Sequence, residues 1–318
     1  MLERIRKIGL VPVVAFEAAE QSVPTAQALL DAQLDVIEIT MRTQAGVESI
    51  RRVKAKFPDM IVGAGTVLTL DKAKEVAEAG ASFIVLPGYQ DDIVSWCVEN
   101  GVPVLPGCVT PAEIQLALLK GLKVLKFFPA DVYGGVKALG ALNGPFGPSG
   151  VTYIPTGGVD MKSLADYAKA PFVAAVGGGW LCGSKQIKSG DWDGIKKTVA
   201  ESIDILLGFE LAHVGINAGS ADESEQIAKS VDRAFHFGFA PGNSSNFAGA
   251  LVEANKGPGL GANGHIAIRT NSIERAEYYL AKRGFELDPS TAKYKDGKQI
   301  AVYLKSEIGG FAFHLLQK

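Results

Sequence analysis

The sequence predicts an α/β chain in two parts: a closed (β/α)8 barrel over residues 1–207, then an α+β domain of paired βαβββ modules over residues 208–318. Three observations carry that prediction. Through about residue 205, short apolar runs alternate with amphipathic segments, the pattern of parallel strands covered on both faces. From about Leu211 the texture changes to longer spacing and polar loops rich in Gly, Asn and Ser. Within that second region an internal repeat opens twice on a histidine, at His213 and at His265.

The apolar runs are Val11–Phe16, Val36–Met41, Ile61–Val67, Phe83–Pro87, Val102–Cys108, Val124–Pro129, Thr152–Thr156 and Phe172–Val176. Between them lie helical patterns such as "VESIRRVKAKF", "DKAKEVAEAGA" and "PAEIQLALLKG". Eight such units in about 200 residues fit a closed barrel. An open doubly wound sheet is the competing arrangement, but "GAGTVL" lacks the third glycine of a dinucleotide fingerprint. "DWDGIKKTVAESIDILLGFE" closes the first part as a last helix and link. In the second part, "HVGINAGSADESEQIAKSVDRAFHFGF" parallels "HIAIRTNSIERAEYYLAKRGFEL". "GALVE" and "GFAFH" then end on Glu253 and His314 at the same offset from a glycine. The first module reads as somewhat shortened, and "NKGPGLGANG" reads as a connector between the two.

Composition narrows the function. The chain is 47% hydrophobic, enough to bury sizeable cores, and its net charge of −2 offers no electrostatic footprint for nucleic acid or anionic membrane. A small-molecule substrate is expected instead. The three cysteines (Cys97, Cys108, Cys182) have no metal spacing and an odd count, so they read as reduced packing residues of a cytoplasmic protein. The N-terminus is basic and then apolar, but the run is short and lacks a small-residue cleavage site, so it does not read as a signal peptide. No stretch approaches the roughly 20 apolar residues of a membrane helix.

The conspicuous residue is Lys126, set inside the apolar run "VLKFFP". A lysine there can snorkel to solvent. It can also serve as a Schiff-base lysine, because burial disfavours the ammonium and the neutral amine attacks carbonyls. Active sites of such barrels lie at the strand ends, where a lysine late in the sixth strand points into the mouth. Glu38 interrupts another apolar run, "DVIEITMRT", and suits both pairing with Lys126 and proton transfer around an imine. Arg42, four residues on, suits bidentate binding of a carboxylate, and reads equally as a surface arginine. Glycine-rich ends follow the seventh and eighth runs, "IPTGGVD" and "VGGGWLCGS", where barrels bind anions through loop amides.

"IEITMRT", "IVGAGTV", "VLPG", "LKFFPA", "GGVKAL", "GPFG", "PTGGV" and "VGGGWL" stand in the order that resembles the 2-keto-3-deoxy-6-phosphogluconate (KDPG) and 4-hydroxy-2-oxoglutarate (KHG) aldolases, over roughly residues 1 to 205. The resemblance implies a class I aldolase without metal, forming a pyruvate imine on lysine in a trimeric barrel. It implies Lys126 as the imine lysine, Glu38 as acid/base, and Arg42 and Thr66 as ligands of the pyruvate carboxylate. Pro87 and Phe128 would shape the pocket, and Gly157, Gly158, Gly178 and Gly179 would form the anion end. Relatives often read Gly-Gly-Ser-Trp in the eighth loop, where this chain has "GGGW" with Gly179, and some carry a basic residue where this chain reads "AFEAAE". Both departures thin a phosphate anchor, so KDPG, KHG and a non-phosphorylated 2-keto-3-deoxy acid all stay open as substrates. A keto-acid-binding regulatory barrel is the non-catalytic alternative.

The second part resembles the glyoxalase/bleomycin-resistance group of paired βαβββ modules, over roughly residues 210 to 318. In that group the first and last strands of each module offer metal ligands. The matching positions are His213, Glu253, His265 and His314, which take three of the chain's four histidines. Imidazoles with a carboxylate suit Zn, Ni, Fe or Mn. The alternatives are a degenerate packing domain or a separate isomerase or epimerase. His236, in "AFHFG", reads as structural.

Overall fold

The computed structural model describes all residues 1–318. The chain forms two compact units, Met1–Leu206 and Leu207–Lys318.

The first unit begins with α1 (Leu2–Ile8) and β1 (Leu10–Val14), followed by α2 (Ser22–Asp31), β2 (Val36–Thr40), α3 (Gly46–Lys56) and β3 (Ile61–Gly65). Next come α4 (Leu70–Glu78), β4 (Phe83–Val85), α5 (Asp91–Glu99), β5 (Val104–Leu105), α6 (Pro111–Leu119) and β6 (Val124–Phe127). The unit is completed by α7 (Gly135–Phe146), β7 (Thr152–Pro155), α8 (Met161–Ala168), β8 (Val176–Gly178), α9 (Ser184–Ser189) and α10 (Trp192–Leu207), whose last residue opens the second unit. Six strands form one curled parallel sheet in the order β5-β4-β3-β2-β1-β8, and β6 pairs with β7. Single parallel bridges, Gly107 to Lys126 and Thr156 to Gly177, join the two sheets into a ring. The strands are short apolar runs whose residues are almost all buried, because helices cover their outer side and side chains fill the inside.

Helix starts hold the loops at the strand ends. Thr110 and Glu113 form a reciprocal capping box on α6, with Pro111 in its first turn, and Asp160 caps α8 through the amides of Lys162 and Ser163. At the opposite end, Arg4 of α1 pairs with Asp35, just before β2, and donates to the Asp59 carbonyl, just before β3. The eighth run differs from expectation. Residues 172–175 lie outside any strand, and Tyr153 of β7 donates its amide to the Phe172 carbonyl and accepts from the Ala174 amide. Pairing with β1 begins only at Val176, so β8 runs Val176–Gly178 and includes two of the glycines.

The second unit repeats one module. Its first copy is β9 (Glu210–Asn217), α11 (Ala221–Phe235), β10 (Phe239–Pro241), β11 (Ser245–Ala248) and β12 (Val252–Asn255). The second copy is β13 (His265–Thr270), α12 (Ile273–Lys282), β14 (Leu287–Lys295), β15 (Lys298–Leu304) and β16 (Ala312–Gln317). All eight strands form one sheet, β10-β11-β12-β9-β13-β16-β15-β14, in which β9 and β13 meet antiparallel at the centre. Each module's first strand pairs parallel with its own last strand, β9 with β12 and β13 with β16. His236 ends α11 in the left-handed conformation (φ 56°). No helix of the chain is long and apolar enough to cross a membrane.

Candidate active site and candidate metal centre

In the barrel, Lys126 on β6 and Glu38 on β2 are both buried, at 6% and 4% exposure, with Lys126 Nζ 3.3 Å from Glu38 Oε1. A lone buried ammonium is strongly disfavoured, so the carboxylate is what lets the lysine occupy this interior position. The ammonium also stands over the Phe128 ring, 5.1 Å from its centroid, a cation–π contact that adds attraction from an apolar neighbour.

Arg42 and Thr66 form a neighbouring pair, with Arg42 Nε donating to Thr66 Oγ1 at 3.3 Å. Thr66 has φ 55°, a left-handed conformation costly for a β-branched residue and one that clusters at functional sites. Pro87 backs onto Gly107, where a Cβ would stand 2.2 Å from the Pro87 carbonyl oxygen. Gly157 lies against the Phe128 ring and Gly158 against the Asp131 carboxylate. A Cβ at Gly178 would meet Trp180 at 1.7 Å, whereas Gly179 has only the Val13 carbonyl within 4 Å, at 3.6 Å. Thus Gly178 is required by packing, and Gly179 is not.

Several contributors carried no sequence signal of their own. Gly65 gives Glu38 its place, since a Cβ there would stand 2.1 Å from Glu38 Oε1. Thr156 is buried at the end of β7 with its hydroxyl beside Gly177, and Thr40 is buried on β2 with its hydroxyl unpartnered. A glycine opposite a charged strand residue, and hydroxyls at strand ends, are the only clues that could have marked them. Burial pushes the Cys108 thiol up to about 12, so this neighbour of β6 stays protonated and offers no competing nucleophile.

In the second unit the ligand candidates converge on one face of the sheet. Side chains alternate along a strand, and the register sets His265 beside Gly215 and Ala312, and His213 and His314 on either side of Ala267. Glu253 pairs with Gly215 from the other side. Gly215 makes room, because a Cβ there would stand 2.0 Å from the His265 ring. His213 Nε2 lies 3.0 Å from Glu253 Oε2 and 3.2 Å from His265 Nε2, and His265 Nε2 lies 3.4 Å from the same carboxylate oxygen. The donor atoms of His213, His265 and His314 all fall within 4.8 Å of one another.

Hydrogen bonds from His213, then His265, hold the Glu253 carboxyl well below the usual carboxylate range. Burial, with His265 and His213 adding, pushes His314 down to about 3. His314 stacks on Tyr303 (centroids 4.5 Å apart, planes at 13°), and neither of its ring nitrogens has a partner in the protein. Metal–nitrogen bonds of about 2.0–2.1 Å put ligating atoms about 3–4 Å apart, so this donor set fits one divalent ion with small side-chain movements.

Comparison with known proteins places the first unit. Residues 1–198 match the family described as "Aldolase: KDPG and KHG aldolase". A 2-dehydro-3-deoxy-phosphogluconate aldolase of Haemophilus influenzae is 39% identical over 206 residues, 65% of this chain and 96% of the relative. A KHG/KDPG aldolase of Escherichia coli K12 is 40% identical over 195 residues, 61% of this chain and 91% of the relative. Among solved structures, the KDPG aldolase of Legionella pneumophila, with pyruvate captured at low pH as a covalent carbinolamine intermediate, superposes with a TM-score of 0.61 at 31% identity, covering 63% of this chain and 97% of that one. The chain is a carbon–carbon lyase built on a (β/α)8 barrel. It belongs to the KDPG and KHG aldolase family, class I aldolases that act on 2-keto-3-deoxy acids.

Proposed function

We propose that the barrel cleaves 2-keto-4-hydroxy acids, such as KDPG and KHG, to pyruvate plus an aldehyde (glyceraldehyde 3-phosphate or glyoxylate), through an imine on Lys126. The observation that carries this is the buried Lys126–Glu38 pair at 3.3 Å. The Lys126 ammonium passes a proton to Glu38, the amine attacks the C2 ketone, and the carbinolamine loses water as Glu38 returns the proton, giving a protonated imine whose nitrogen draws electrons from the substrate. Glu38 takes the proton of the C4 hydroxyl. The C3–C4 bond then breaks, releasing the aldehyde and leaving an enamine on Lys126. Protonation at C3 and addition of water release pyruvate and restore the amine. Arg42 and Thr66 hold the substrate carboxylate, Phe128 and Pro87 wall the reacting carbons, and Gly157, Gly158, Gly178 and Gly179 receive the tail. The working protein is a homotrimer in this reading, as the resemblance implies, and a cytoplasmic one, as the reduced cysteines suggest. Borohydride with pyruvate should trap one adduct on Lys126. Trapping that survives Lys126→Ala would sink the assignment.

A second reading concerns the other unit, which we propose is glyoxalase-like and binds a divalent metal. The buried, unpartnered His314 nitrogens beside two further imidazoles and a carboxylate favour it. His213, Glu253, His265 and His314 would hold the ion, which when bound supplies a Lewis acid for oxygen ligands. Metal analysis of the purified chain tests this: a metal-free product that takes up no added Zn²⁺, Ni²⁺ or Mn²⁺ ends it.

A further inference from the structure

We infer that Ser245 positions the Glu253 carboxylate for metal coordination. The inference rests on the metal reading of the second unit. Glu253 splits its two oxygens between two jobs. Oε2 faces His213 and His265, while Oε1 accepts a hydrogen bond from Ser245 Oγ. Ser245 lies on β11, opposite Asn255 of β12, and is 2% exposed. A free carboxylate turns about its terminal bond and exchanges its oxygens. The serine bond fixes which oxygen faces the imidazoles.

The single hydroxyl proton of Ser245 goes to the charged acceptor, and its oxygen lies 3.2 Å from Asn255 Oδ1 with no hydrogen between the two. Asn255 Nδ2 donates to Asn217 Oδ1 at 2.9 Å, and Asn217 Nδ2 donates to the carbonyls of Gly259 and Gly261 at 3.3 and 3.0 Å. Those carbonyls belong to the connector "NKGPGLGANG". Its close approach needs a glycine, since a Cβ at Gly259 would stand 2.6 Å from Asn217 Oδ1. A buried hydroxyl and a half-buried carboxylate would be poor choices for sheet packing alone, because each gives up hydration. As an outer layer that orients a ligand, they are the expected chemistry, and its loss costs about 10–100-fold in metal affinity.

The test uses the full chain, stripped of metal and titrated with Co²⁺, read by its visible absorption and by competition with a chelator. Ser245→Ala should weaken binding by about 10–100-fold and alter the Co²⁺ spectrum. Ser245→Cys, close in size but a weak donor, should weaken it less, and it serves as the second variant if Ser245→Ala folds poorly. In a Glu253→Ala background, Ser245→Ala should cost nothing further, whereas a merely structural serine would cost the same in both backgrounds. Unchanged affinity and spectrum in both Ser245→Ala and Ser245→Cys, or an equal loss in both backgrounds, overturns the positioning role and leaves the metal reading standing. An unsubstituted chain that takes up no Co²⁺ overturns both.

Discussion

The two units bury charge in opposite ways. In the barrel, the Lys126 ammonium and the Glu38 carboxylate neutralise each other at 3.3 Å, and the pair is complete within the protein. In the second unit, one carboxylate faces two imidazoles, and a third imidazole, His314, is buried with neither nitrogen bonded. The contrast separates two uses of a polar interior. A matched pair can carry a proton between its own members, which suits covalent chemistry on carbonyls. A convergent set of nitrogen and oxygen donors suits an ion, and leaves its own protonation at the mercy of pH.

The sharpest way to break the comparison is Lys126→Ala. Pyruvate release should fall on the order of 10⁴-fold or more, because the group that forms the intermediate is gone. Metal uptake by the second unit should be unaffected. Glu38→Gln comes next, with turnover lower by about 10²–10⁴-fold while borohydride still traps pyruvate on Lys126. Equal loss of turnover and trapping would instead make Glu38 a partner needed to form the imine. Gly65→Ala drives a methyl into Glu38 and should lower stability by about 1–3 kcal/mol, together with turnover, read by denaturant unfolding and steady-state kinetics.

The smallest effect probes the other side of the contrast. His314 is faced by His213, His265, Glu253, Tyr303 and Lys293, and its folded-state value lies below the ordinary 6.5. The unfolded chain therefore binds this proton more readily, and stability falls as pH drops from about 6.5 towards 3. Its slope is at most about 1.4 kcal/mol per pH unit from this group. Glu253, also held low, adds a loss in the same direction further into acid. Denaturant unfolding of the metal-free chain should show a shallower acid slope in His314→Gln than in the unsubstituted chain.

Much of this contrast is legible in the sequence, for a physical reason. A charged residue inside an apolar run stands out, so Lys126 and Glu38 announce themselves, and a repeat that restarts on histidine marks His213 and His265, while the resemblance to the glyoxalase group adds Glu253 and His314 as candidates. Arg42 and Thr66 become candidates mainly through a family resemblance, because an arginine or threonine at a strand end is ordinary. Gly65, Gly215, Thr156 and Ser245 escape notice. Their importance comes from which side chain the register sets opposite them, and register is a tertiary property. The displaced start of β8 escapes for the same reason, since Phe172–Ala175 is as apolar as a strand but lacks pairing with β1.

Gly215 has one more consequence. Its counterpart in the second module, two residues beyond that module's opening histidine, is Ala267. Beneath the His265 ring there is no space for the methyl that Ala267 carries. The two repeats have therefore ceased to be interchangeable. A chain assembled from two copies of the second module would set an alanine against the imidazole that Gly215 now admits. Each half of the sheet is the other's mould.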